Sequence, residues 1–196
     1  MEKKHALILP AEESFARRVA LDFIVKRPGK PWLQLIPGMF IFDFLKRNGE
    51  IRRCSQYYLF PRRLAMDVAL NITKGDEKNG KLSWVEEKIK TWPSKLSLDS
   101  QAIHQGRMAL VNLLIDHYIK LFQAHGDSYN DLLNDAYQSR ENYETFLNRL
   151  SDTEREMNRI IFEVTGEVET AHDSLKAEQL QAEEQRNKEL DNIFFL

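Results

Sequence analysis

The sequence predicts an all-α protein: a helical bundle with a long antiparallel helical hairpin and an extended C-terminal tail. Three observations lead there. Only 8 Gly and 6 Pro punctuate 196 residues, too few for a turn-rich β architecture. Apolar residues recur at helical spacing over most of the chain. Charged residues make up 30% and apolar ones 42%, a balance that supplies both solvated faces and a core.

The first expected helix opens at Pro10, where a first-turn residue needs no N–H, and carries Glu12 and Glu13 near its start. Phe15, Val19 and Phe23, with Ala16, Ala20 and Ile24 beside them, form its apolar face, and Pro28, Gly29 and Pro31 end it. The stretch Trp32–Leu45 follows, divided by Pro37-Gly38, with a helix expected over Met39–Lys46 and a stop at Asn48-Gly49. Helices are then expected over Glu50–Leu59, broken at Pro61, and over Arg62–Thr73. Residues 74–81 read as a surface loop, and Ser83-Trp-Val-Glu86 as a capping box that opens a short helix closed by Pro93. The strongest pattern spans about Asp99–Ala124, with Ile103, Leu110, Leu114, Tyr118 and Leu121 on one face and Gly126 as its stop. Asp127 or Ser128 caps the returning helix, which continues to Gly166 with a fresh start or bend at Ser151–Glu154. The resulting organisation is a basic N-terminal helical subdomain over 1–73 with its apolar segment at 32–45, a loop and short helix over 74–98, the hairpin over 99–166, and an acidic, partly disordered or helical tail over 167–196.

Charge is segregated along the chain. Residues 1–65 hold 13 Lys or Arg against 6 Asp or Glu, and residues 126–196 hold 7 against 17, although the whole chain carries only −2. A basic front and an acidic back can attract each other within a chain or between chains, or the front can face anionic lipid or nucleic acid. The single Cys54 allows no intrachain disulfide, which fits a reducing compartment. The apolar run Ala6–Leu9 is too short for a secretory core, and no run approaches the roughly 20 residues of a spanning helix. A cytoplasmic location, with peripheral contact at the inner membrane face, is the expectation.

The candidate contact residues are Trp32, Phe40, Phe42 and Phe44, flanked by Lys46, Arg47, Arg52, Arg53, Arg62 and Arg63. Aromatic rings beside cations suit an interface where rings enter the acyl boundary and cations meet anionic headgroups. The same strip also suits the buried helix of a bundle or a surface for a protein partner, and all three destinations remain open on the sequence. Phe194, Phe195 and Leu196 form a candidate docking terminus, with burial on the chain's own bundle as its alternative. A homo-oligomeric scaffold or adaptor without lipid contact, and nucleic-acid binding through the dibasic pairs, are the other function classes.

Patterns for chemistry fall short. Gly75-x4-Gly80-Lys81 begins like a phosphate loop, but Leu82 stands where a metal-binding hydroxyl is required. Glu169-x-x-His172 has the spacing of a di-iron ligand pair but no second such unit. His104 and His125 are about six helical turns apart and cannot share a metal. Asp43, set among phenylalanines, calls for an arginine partner. No nucleophile, base and acid assemble. The expectation is a non-enzymatic protein with no cofactor, no metal site and no small-molecule substrate identified.

Overall fold

The computed structural model describes residues 1–25, 39–76, 78–90, 100–165 and 169–194. Among them every regular element is helical: α1 (Glu2–Val25), α2 (Met39–Thr73), α3 (Lys78–Lys90), α4 (Gln101–Gln123), α5 (Tyr129–Tyr137), α6 (Arg140–Thr165) and α7 (Glu169–Phe194). The protein is an all-α helical bundle.

Side-chain bonds give the helix directions. Lys3 reaches Asp127 at 2.7 Å, Lys4 donates to the carbonyl of Phe122 at 2.8 Å, and the Tyr118 hydroxyl donates to Glu12 at 2.8 Å, so α1 runs against α4. Arg63 pairs with Glu13 and Lys74 with Glu2, so α2 runs against α1. His117 stacks on Phe146, and Gly106 lies against Met157 and Ile160, so α6 runs against α4. Arg140 pairs with Asp191 and Arg155 with Glu183, so α7 runs against α6. The C-terminal ends of α1 and α6 and the N-terminal ends of α2, α4 and α7 therefore share one end of the bundle, here called the upper end.

The core lies in the lower and middle parts. Ile8, Met66, Ile89, Leu114, Tyr118, Leu121, Phe122, Leu132 and Leu133 are all sealed from solvent there. The expected face of α1 is the buried one, with Phe15, Ala16, Val19, Ala20, Phe23 and Ile24 all covered. Ser100 caps α4 by accepting from the Ile103 N–H, and Ser128 with Asp131 forms a full capping box on α5. Gly126 has a positive φ of 155°, and a Cβ there would lie 2.4 Å from that of Asp131, so the turn into α5 excludes any side chain.

Several expected boundaries are overturned. α1 begins at Glu2, eight residues before Pro10, which sits inside it. α2 is continuous through both Asn48-Gly49 and Pro61. A glycine in a helix interior costs only about 1 kcal/mol, which packing of the helix offsets. Pro61 removes one backbone donor, that to the Tyr57 carbonyl, and burial of Leu59, Leu64 and Ala65 around it holds the helix in place. α3 starts before the Ser83–Glu86 capping box. The returning helix breaks not at Ser151 but at Gln138, which adopts the left-handed conformation at φ 62°. Ser139 caps the new helix by accepting from the Asn142 N–H. The acidic tail, expected as partly disordered or helical and solvated, is in its described part a helix, but one docked on α1 and α6 with Ala182, Gln185, Arg186, Leu190 and Ile193 buried.

Candidate functional site

Two places in the fold bear on function: a buried cluster of charges at mid-height, and the upper end, to which the first half of α2 runs with Arg47, Arg52 and Arg53.

The cluster forms because each helix places one polar residue in its apolar stripe. α1 runs Ile8, Glu12, Phe15, Val19; α2 runs Tyr58, Arg62, Ala65, Ala69; α6 runs Leu147, Leu150, Glu154; α7 runs Ala182, Arg186, Leu190. At the crossing, Arg62 Nε lies 3.1 Å from Glu12, whose other oxygen accepts the Tyr118 hydroxyl. Arg186 donates to Glu154 at 2.6 Å, to the Ser151 hydroxyl at 3.0 Å and to the Tyr58 hydroxyl at 2.8 Å. Arg62 also donates to the Tyr58 hydroxyl at 2.7 Å and lies 3.7 Å from Glu154. Both arginine side chains are only 4% exposed. Two positive and two negative charges thus neutralise each other away from water, with hydrogen bonds on both guanidinium groups, as buried ions require. Burial raises the Tyr58 hydroxyl to about 12, against the pull of the two arginines, so it stays protonated.

Beside the cluster is a cavity of about 30 Å³ bordered by Glu12, Arg62, His117, Tyr129, Tyr143 and Glu189, among others. Drug-sized ligands need roughly 300 Å³ or more, whereas a single water needs roughly 10–15 Å³. The space accepts water and nothing much larger. His117 accepts or donates at Nδ1 with the Tyr137 hydroxyl at 2.7 Å and stacks on Phe146 at 4.4 Å. Burial, with the charges of Arg62 and Lys120, lowers it to about 3, so it is neutral across the physiological range. An open hollow of about 470 Å³ lies at the lower end between α5 and the end of α7, bordered by Ser128, Asn134, Gln138 and Phe194. Asp131 also lines it, with its carboxylate already accepting from the Ser128 N–H in the cap of α5.

The expected contact residues part company. Arg52, Arg53 and Arg63 are exposed, and Arg47 is partly covered. Arg63 pairs with Glu13 at the surface. Arg62 is a correction: it belongs to the buried cluster and cannot meet a membrane or a partner, because its guanidinium is turned inward onto Glu12 and Glu154. The helical backbone of α2 carries positions 40, 42, 44 and 46, but the side chains of Phe40, Phe42, Phe44 and Lys46 fall outside the described residues, as do Asp43's side chain and all of Trp32. At the other terminus, Ile193 is buried in the main core and Phe194 is partly covered beside the Tyr143 ring. Phe194, the described residue of the expected docking terminus, is therefore folded onto its own bundle, while Phe195 and Leu196 lie outside the described residues.

The chemistry sought in sequence has a structural outcome at several points. Gly80 is inside α3, so residues 75–81 form no phosphate-cradling loop. Cys54 is partly covered and its thiol donates to Glu178 at 3.8 Å. His125 is exposed and pairs with Asp135. Among the described residues no group of three or more potential metal ligands converges, and no helix is long and apolar enough to cross a membrane. The buried cluster itself was missed by sequence reasoning. Its signal was an Arg or Glu standing in register with an apolar stripe, as Arg186 does four residues after Ala182 and four before Leu190.

No protein-family model matches this chain, and neither the curated proteins nor the solved structures include a match to it.

Proposed function

We propose that the protein is a non-catalytic peripheral binder that docks its upper end on an anionic membrane surface through the basic and apolar front of α2. One observation supports this reading above the others. Along α2 no residue from 47 to 58 is fully buried, whereas most residues from 59 to 69 are. The helix is anchored in the bundle at one end, and at the other it carries exposed Arg52 and Arg53 next to the most apolar segment of the sequence. Nearby apolar side chains are also poorly covered, with Leu21, Val164 and Leu180 at 45%, 43% and 54% exposure. A basic, incompletely covered helical segment beside an apolar stretch suits insertion at a headgroup boundary, where each Lys or Arg contributes about 1 kcal/mol on an anionic leaflet.

Vesicle flotation tests it. The folded full chain should float with vesicles containing phosphatidylserine at low salt and detach as salt screens the charges. Phe40→Asp, or Arg52→Glu combined with Arg53→Glu, should weaken flotation at least about tenfold with helix content unchanged. Folded wild-type protein that stays in the soluble fraction at low salt would overturn the proposal. Mass that rises with concentration in that case would favour a homo-oligomeric scaffold, and salt-sensitive gel-shift binding would favour nucleic acid.

A further inference from the structure

The seating of α7 runs against its own apolar content. Among its described residues the buried apolar side chains are Ala182, Leu190 and Ile193, while Leu180 is 54% exposed. At the centre of the buried face stands Arg186, which donates to Glu154, to the Ser151 hydroxyl and to the Tyr58 hydroxyl. An arginine inside and a leucine outside is the reverse of what apolar burial selects. The neighbours of Arg186 along the same face are apolar in their surroundings. Ala182, one turn above, packs with Phe15 and Val19, and Leu190, one turn below, belongs to the main core. Sliding α7 by one turn is therefore opposed in both directions. Moved up, it would set Leu190 against the Glu154 carboxylate and the Arg186 guanidinium against Phe15 and Val19. Moved down, it would set Ala182 against Glu154 and the guanidinium in the place of Leu190. Either move buries a charge away from its partner. The pairs that Glu189, Asp191 and Glu183 make with Arg18, Arg140 and Arg155 lie at the rim in contact with water, where solvent and salt weaken them.

We propose that Arg186 is a register key: its seat on Tyr58, Ser151 and Glu154 selects one height and one rotation for α7, a task distinct from stabilising the fold. The two tasks separate because a buried ion pair adds little net stability over apolar residues of similar volume, whereas a mispaired buried charge is costly. A single polar residue in the apolar seam of a coiled coil fixes register in the same way. Leu180 and Arg186 are six residues apart, about 120° around the helix. The rotation that takes Arg186 in therefore holds Leu180 out, and the exposure of Leu180 follows from the polar seat. This inference does not depend on what the upper end binds.

Double electron–electron resonance on the full chain reads the height of α7 directly. Spin labels at positions 144 and 184 occupy exposed sites on α6 and α7, with Cys54→Ser removing the native thiol. Measured in about 0.5 M salt, which screens the rim pairs, this parent should give one narrow distance. Arg186→Leu combined with Glu154→Leu replaces the charge pair by apolar residues and makes Leu190 an equal occupant of the seat. A second distance should then appear, longer by about 6 Å, the rise of four helical residues. Helix content should be kept and the urea midpoint should not fall. Arg186→Leu alone, in which Arg62 still faces Glu154 at 3.7 Å, should show the same second distance. A single narrow distance in either variant while folded would overturn the proposal, because apolar contacts would then suffice to set the register. Loss of the folded state in both variants would overturn it as well, since the pair would then be a stabiliser and not a selector.

Discussion

The lower and upper parts of the bundle are built from the same helices but cover their apolar residues differently. Below the charge cluster, Phe122, Leu121, Leu132 and Leu133 are sealed on every side. Above it, Val19, Phe23, Ile24 and Ile103 are buried, but Ile51, Met157, Ile160 and Ile161 are only partly covered, and Leu21, Val164 and Leu180 are exposed. Elsewhere among the described residues, Met1 and Trp84 are the large apolar side chains left exposed. The lower part is the more fully sealed, the cluster at mid-height joins α1, α2, α4, α6 and α7, and the upper part leaves apolar surface that the proposed membrane contact would cover.

The largest expected effect is at the junction. Arg186→Ala takes from Glu154 its nearest buried partner, leaving Arg62 at 3.7 Å, and the loss should be about 3–5 kcal/mol in urea unfolding. A loss under about 1 kcal/mol would mean that the cluster is effectively solvated and that the two parts are not joined there. Leu132→Ala in the lower part should cost about 2–5 kcal/mol, while Leu180→Ala in the upper part should stay within about 0.5 kcal/mol. Equal losses would erase the distinction between the two regions.

Smaller effects sharpen it. His117 is lowered from 6.5 to about 3 by burial and by the charges of Arg62 and Lys120, so the unfolded chain binds the extra proton between those values. Its contribution is complete above pH 6.5 and is lost as pH falls towards 3. His117→Phe should cost about 1–2 kcal/mol at pH 7, because the Tyr137 hydroxyl loses its partner. It should also flatten the decline of stability below pH 6.5, measured by urea midpoints across pH. Gly126→Ala should lower the melting temperature by several degrees, about 1 kcal/mol or more, since the new methyl meets Asp131.

The parts legible in the sequence are those where one local signal decides. The apolar rows of α1 and α4, the Ser128 cap of α5 and the turn at Gly126 are of that kind. The rest required knowledge of distant partners. Asn48-Gly49 reads as a stop, but neither residue forbids a helix, and α2 continues through them. Gln138 takes a left-handed conformation usually left to glycine, so the break before α6 had no residue to mark it. Arg186 reads as a solvated tail charge because its partners, Tyr58, Ser151 and Glu154, are remote in sequence. The same blindness placed Arg62 on the contact surface. Charge segregation was visible, and part of its outcome is internal: Arg18 with Glu189, Arg62 with Glu154 and Lys3 with Asp127 join the basic front to the acidic back.

The division between a stable lower part and an upper contact end is tested most directly by hydrogen–deuterium exchange with and without phosphatidylserine vesicles. Protection should increase in peptides covering 39–58 and stay unchanged over α5, residues 129–137. No added protection over 39–58 while the protein is vesicle-bound, or equal protection over α5, would contradict the account.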